Sequence, residues 1–193
     1  MEFKQLKERY DLKITGILHI GANVGQEHTM YEEMGIKAMY FEPVPECFRV
    51  LKSRVGDKAI NCALGNFTGN ALMYESSNGA SSSSLLKPLL HRKQYPQVEF
   101  ERTIIVDVKK LDNIKTEGYN TIVIDVQGYE LEVFKGGAST LSNIEYIYTE
   151  VNRAMLYEGC AQVSELDKYL CEFLRVDTEW IGCTWGDALY IRL

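Results

Sequence analysis

Histidine is scarce in this chain, with only His19, His28 and His91 among 193 residues. They lie far apart and share no ligand spacing with a cysteine, so a zinc site is not expected. The five cysteines, Cys47, Cys62, Cys160, Cys171 and Cys183, are odd in number and contain no Cys-x-x-Cys pair. They read as reduced, mostly buried small apolar residues rather than a disulfide framework. Long apolar runs are also missing: no stretch nears the ~18 consecutive apolar residues of a membrane span. Residues 1–9, from Met1 to Arg9, lack the apolar core of a secretory signal and read as a short helix. The cytoplasm is the expected compartment, with no membrane partner. Positive charge is in deficit, 21 basic against 27 acidic side chains. That disfavours nucleic acid, because a phosphate backbone is held by clustered Lys and Arg. The one basic cluster is Lys87, His91, Arg92 and Lys93. It reads first as a solvated loop and second as a contact for an anionic substrate.

What is present is an ordinary globular composition, 46% hydrophobic and 25% charged, in a length that fits one domain with a substantial core. Strand signals alternate with helix signals, which predicts a parallel sheet covered on both faces. Strands are expected over residues 17–20, 38–42, 59–64, 121–124 and 144–151. A helix is expected over about 25–34 with Gly35 as its cap, and another from Pro45 to Gly56. Tyr129 to Phe134 reads as a short helix stopped by Gly136-Gly137. Ser164 with Asp167 resembles a capping box, and Leu166, Tyr169, Leu170 and Phe173 form a helical apolar stripe. Residues 175–180 and 188–193 read as an antiparallel pair at the sheet edge. Strands at 71–75 and 103–108 flank a serine-rich loop and a weakly periodic stretch with Pro88 and Pro96. This segment, about 70–102, reads as a substrate-side insertion in one domain spanning 1–193.

The richest segment is Ile17-Leu18-His19-Ile20-Gly21-Ala22-Asn23-Val24-Gly25-Gln26. An apolar strand enters a Gly-x-Asn-x-Gly turn, where Gly21 and Gly25 let the backbone bend sharply and approach a ligand. Glu42 follows 21 residues after Gly21, the range of a carboxylate that accepts ribose hydroxyls. A dinucleotide fingerprint would need glycine where Asn23 and Gln26 stand. The turn resembles instead motif I of the class I S-adenosylmethionine-dependent methyltransferases; a plain tight turn is the simpler alternative.

In an open parallel sheet, ligands bind beyond the carboxyl ends of the strands. The polar strand ends here are residues 21–26, Glu42, 61–63, 125–128 and 150–152, and five on one rim make a cleft. Asp125 follows the apolar run Ile122-Val123-Ile124. Partial desolvation there would raise its pKa and make it a better general base. Its structural alternative is capping the helix near Tyr129. Glu130 is open between a functional role and a favourable place in the helix dipole.

Phe41-Glu42-Pro43, Leu111-Asp112, the block from Ile124 through Asp125-Val126-Gln127-Gly128-Tyr129-Glu130 to Gly136, and Tyr148-Thr149-Glu150-Val151 follow the glycine turn in order. Over about residues 15–155 the chain resembles the FkbM family of methyltransferases. The resemblance implies an α/β, Rossmann-like class I methyltransferase fold. It has a mostly parallel seven-stranded sheet, helices on both faces and an antiparallel edge strand. It implies S-adenosylmethionine as cofactor, and as acceptor a hydroxyl on a sugar, glycan or small metabolite. It places His19, Gly21, Ala22, Asn23, Gly25, Gln26, Glu42, Pro43, Cys62, Ala63, Asp125 and Gln127 on the cofactor side. Ser81, Ser82, Ser83, Gln127 and Glu150 fall on the acceptor side, with Asp125 as the base.

The usual acid before motif I is replaced by His19-Ile20, which leaves the cofactor ammonium to be met by Asp125 or another acid. Proton removal by a carboxylate is typically worth ~10²–10⁴-fold. Asp125-Val126-Gln127-Gly128 is not the Asn/Asp-Pro-Pro-aromatic motif of base-amine methylation. Tyr95, Phe100, Tyr157 and Trp185 read as packing or as sugar-stacking residues. No metal is expected, since Asp125 with Glu150 is a weak pair for Mg²⁺. A homo-oligomer is left open. The alternatives are an NAD(P)-dependent oxidoreductase, which lacks a Tyr-x-x-x-Lys relay, and a non-catalytic nucleotide-binding module.

Overall fold

The computed structural model describes residues 3–193. The first two residues of the expected N-terminal helix, Met1 and Glu2, lie outside the described residues; the rest forms α1, Phe3–Arg9. A seven-stranded sheet follows from β1 (Ile17–Ile20), β2 (Ala38–Phe41), β3 (Ala59–Ile60), β7 (Thr121–Ile124), β8 (Tyr146–Asn152), β9 (Phe173–Ile181) and β10 (Trp185–Arg192). Its spatial order is β3-β2-β1-β7-β8-β10-β9. The first five are parallel neighbours, and β10 inserts antiparallel between β8 and β9. Strand order reverses between β1 and β7, which pair Ile20 with Ile124. A cleft opens beyond the carboxyl ends at such a reversal.

The strands are apolar on both faces because both faces are covered. Leu18, Ile20, Ile122 and Ile124 pack on one side against Val133 and Phe134 of α5 (Glu130–Gly136). Ile17, Ala38 and Tyr40 pack on the other against Leu51 and Val55 of α3 (Pro45–Val55). Among the described residues no helix, the short α4 (His91–Gln94) and α6 (Ala138–Leu141) included, is long and apolar enough to cross a membrane.

Several boundaries depart from the sequence pattern, among them β10, which starts at Trp185 rather than 188. The run 59–64 is split: Ala59–Ile60 joins β2, while β4 (Ala63–Leu64) pairs with Val108 and Lys109 in a second sheet. Asn61 makes the break, its amide donating to the carbonyls of Glu42 (2.8 Å) and Pro43 (3.2 Å) and turning the chain away. The second sheet runs β4-β6-β5, with β5 (Gly69–Glu75) antiparallel to β6 (Arg102–Lys109). Helix α2 covers only His28–Glu33, because Gly25 at φ +76° is left-handed and delays its start. The capping box lies two residues earlier than expected, with the Gln162 N–H donating to Glu165 at 2.8 Å ahead of α7 (Val163–Tyr169). Phe173 opens β9 rather than extending that helix.

Candidate active site

A cavity of about 340 Å³ lies beyond the carboxyl ends of β1, β2, β7 and β8. One wall is the glycine turn. Gly21 has φ +82°, and its N–H and that of Ala22 both donate to the Phe41 carbonyl at 3.0 Å. This ties the turn to β2 and places Glu42 beside it. The Glu42 carboxylate then accepts Asn23 N–H on Oε2 and Val44 N–H on Oε1, both at 2.8 Å. Burial pushes its carboxyl up to about 7 against these two donors. Asn23, left-handed at φ +47°, donates its side-chain amide to the Gly79 carbonyl at 2.9 Å. The serine loop is thereby fastened across the mouth of the turn.

The opposite wall is a carboxyl cluster. Asp125, Glu130 and Glu150 bring carboxylate oxygens within 4.8 Å of one another. Asp125 is exposed to the cleft from that wall, and desolvation pushes its carboxyl up to about 6. Burial and the Asp125 charge together raise Glu150 well above the usual carboxylate range. Gln127 separates the two: its amide nitrogen donates to Asp125 Oδ1 (2.8 Å) and Glu150 Oε2 (2.9 Å). The Tyr157 hydroxyl lies 2.8 Å from both Gln127 Oε1 and the Ser82 carbonyl, and donates its one proton to either. Three hard oxygens at this spacing suit shared protons or a hard cation, so the weak pair Asp125 and Glu150 gains a third member.

Glu130 has a structural task as well. Its Oε1 accepts the N–H of Val126 and of Gly128, each at 3.1 Å, and stitches the loop after β7. Helix α5 has no side-chain cap, so Asp125 does not serve that role. Glu130→Ala removes the acceptor from one buried donor, Gly128 N–H, and one half-buried donor, Val126 N–H, and is expected to cost about 1–3 kcal/mol for the buried donor left unmet. Glu130→Gln keeps a carbonyl oxygen there and should recover most of that loss. Urea midpoints of the two variants at neutral pH check this; equal midpoints would remove the stitch.

The cavity lining includes His19, Gly21, Ala22, Asn23, Gln26, Glu42, Pro43, Cys62 and Ala63 from the expected cofactor side. Asp125, Gln127, Glu150, Ser81 and Ser83 also line it. Gly25 does not; it shapes the turn by donating to the Ala22 carbonyl at 2.8 Å. Ser82 does not either, since its hydroxyl accepts from Asn78 at 3.0 Å and its N–H donates to Ser76 Oγ. Ser83 touches the cavity, but its Oγ accepts the Ser76 N–H at 3.0 Å. The buried imidazole of His19 has its pKa lowered by desolvation and stays neutral beside the Tyr31 hydroxyl at 3.3 Å.

Glu27, Tyr148 and Asp187 also line the cavity and were not found from sequence. Asp187 lies opposite Glu150 near the start of β10. An antiparallel strand begins at the rim where parallel strands end, and that rule would have found it. The basic cluster lies elsewhere. Lys87 pairs with Glu158 at 3.0 Å, and the Arg92 guanidinium sits 5.7 Å from the Phe100 ring centre. His91 packs against Tyr95, Phe100 and Tyr157.

A glycine turn, a carboxylate on the neighbouring strand and acids at the strand-order reversal define a Rossmann-like α/β domain of the methyltransferase type. Residues 19–176 match the methyltransferase FkbM domain, and the chain belongs to that family. It is 31% identical over 160 residues to the 2-O-methyltransferase NoeI of Sinorhizobium fredii, covering 74% of this chain and 65% of that protein. A crystal structure of methyltransferase FkbM from Methylobacillus flagellatus KT superposes with a TM-score of 0.55 at 15% identity. That match covers 92% of this chain and 43% of the other. Magnesium protoporphyrin IX methyltransferase from Synechocystis PCC 6803, solved with S-adenosylmethionine bound, gives 0.56 at 10% identity over 98% and 76% of the two chains. The chain thus spans just under two thirds of NoeI and less than half of the M. flagellatus structure.

Proposed function

We propose that this chain is an S-adenosylmethionine-dependent O-methyltransferase whose acceptor is a hydroxyl of a sugar or similar small metabolite. The observation that carries the reading is one cavity with Glu42 pinned beside the glycine turn and Asp125 on the facing wall. The 2-O-methyltransferase activity of NoeI supports the acceptor class. Two exposed free cysteines, Cys171 and Cys183, suit a reducing compartment such as the cytoplasm. Family membership sets the oxidoreductase alternative aside.

The residues present fit the cofactor. Each Glu42 oxygen keeps a lone pair for a ribose hydroxyl after accepting its backbone N–H. Cys62 and Ala63 give an apolar surface suited to the adenine. S-adenosylmethionine supplies, when bound, a methyl group on a positively charged sulfur. Asp125 takes the proton of the acceptor hydroxyl as the oxygen becomes nucleophilic. Gln127 holds Asp125 and Glu150 at fixed separation, so an acceptor can be oriented between them. Asn23 and the Gly79 carbonyl keep the serine loop over the mouth and limit water entry.

Calorimetric titration tests the cofactor. Roughly micromolar binding, about −8 kcal/mol, is expected for S-adenosylmethionine and S-adenosylhomocysteine, with none for NADH. Glu42→Ala should weaken the first two about tenfold or more, or 1.4 kcal/mol. Binding of NADH alone would overturn the assignment.

A further inference from the structure

Among the described residues, the cavity is lined by Glu27, Glu42, Asp125, Glu150 and Asp187 and by neither lysine nor arginine. Its single histidine is held neutral by burial. The adjoining concavity shares Val44 and Ala80 with it and adds four more acids, Glu46, Glu75, Glu99 and Glu101. Arg102, its one cation, lies 3.3 Å from Glu75 and 4.0 Å from Glu46. Of the basic cluster that could have met an anionic substrate, Lys87 is engaged with Glu158 and Arg92 with the Phe100 ring and carbonyl, and no member lines the cavity.

We infer that the acceptor is selected by charge: the site takes neutral or amino-bearing hydroxyl compounds and rejects phosphorylated or carboxylated ones. The inference rests on the methyl-transfer reading above and narrows its acceptor class. The physical reason is that clefts lined by one sign of charge focus their field and concentrate ligands of the opposite sign. An acceptor anion at the reacting position would sit beside Asp125, the base that works ionised, while Glu150, raised by burial beside it, keeps its proton and adds hydrogen-bonding capacity rather than charge. Like charges a few ångströms apart repel appreciably even at protein-surface screening. With no lysine or arginine side chain on the described lining, an anionic group meets no side-chain cation there. An amine gains from the same field, and a neutral hydroxyl pair meets carboxylate acceptors without penalty.

The test is methyl transfer from labelled S-adenosylmethionine by the full chain to matched acceptors. Several hexose scaffolds are each presented as the methyl glycoside, the 2-amino sugar, the uronate and the 6-phosphate. Within any scaffold that is turned over, kcat/KM for the neutral or amino form should exceed that for either anion at least tenfold. The gap should narrow as NaCl is raised, because salt screens the repulsion, while the neutral rate stays flat. Glu27→Gln should also narrow it, the ratio of neutral to anionic kcat/KM falling whatever happens to the absolute rates. Uronates or phosphates turned over as well as or better than their neutral counterparts would overturn charge selection and leave methyl transfer standing. Transfer to no acceptor of any charge, with S-adenosylmethionine binding intact, would overturn the hydroxyl-acceptor reading and this inference together.

Discussion

Asp125→Asn should lower kcat by about 10²–10⁴-fold while leaving the S-adenosylmethionine Kd within about threefold of the parent. The substitution preserves shape and keeps an oxygen that can accept the Gln127 amide, which the native residue receives at 2.8 Å. It removes only the capacity to take a proton. The parent should show the matching pH signature. Desolvation pushes the Asp125 carboxyl up to about 6, and a general base works when ionised. The rate should therefore rise as pH climbs through about 6 and level off above. In Asp125→Asn that rise should vanish from whatever activity remains.

Stability runs the other way. A carboxyl whose folded pKa is raised binds its proton more tightly in the native state. Its contribution is complete below the ordinary carboxylate range and is lost as pH rises through about 6. Activity and stability thus oppose one another across the same window. A near-parental rate in Asp125→Asn would move the base to another group, Glu150 first, since Gln127 bridges both.

The parts legible in sequence were those fixed by local backbone demands. Gly21, Asn23 and the 21-residue step to Glu42 announced the turn because a strand-to-helix reversal needs left-handed residues, and both Gly21 and Asn23 adopt them. The parallel sheet covered on both faces followed from alternation, since buried parallel strands must be apolar throughout, and its seven strands from the family resemblance. What stayed hidden depended on contacts between distant segments. Nothing local shows that Asn61 would hold the Glu42 carbonyl and send residues 63–64 into a second sheet. Tyr157 reads as packing until the fold brings it to Gln127, thirty residues away. Ser82 and Ser83 look like substrate hydroxyls, but the loop folds back and engages them itself. The apolar and glycine patterns carry the scaffold; the polar network of the site is a property of the assembled rim.

Gly21→Ala should abolish measurable cofactor binding and destabilise the chain by several kcal/mol. A Cβ at Gly21 would fall 1.9 Å from the Asp125 carbonyl oxygen and 2.9 Å from its carbon. That obstacle is backbone, anchored where β1 pairs with β7 and the Asp125 N–H donates to the Ile20 carbonyl at 3.1 Å. To make room, the glycine turn and the strand carrying the proposed base must separate. The two walls of the cavity would move apart together. The left-handed φ of +82° adds roughly 1–3 kcal/mol of strain for a residue with a side chain.

Gly35→Ala isolates the two effects. Gly35 is also left-handed, at φ +68°, but a Cβ there meets no atom within 4 Å. It should therefore show the strain without the clash: a modest fall in Tm, about 2–4 °C per kcal/mol for a chain of this length, and unchanged S-adenosylmethionine affinity. Calorimetry and thermal unfolding on both variants separate the contributions. If Gly21→Ala binds S-adenosylmethionine as the parent does, the turn does not shape the cofactor site, and the pocket must be reassigned. If it fails while Gly35→Ala binds normally, the close approach of two backbones at the strand-order reversal is what the glycine is there to permit.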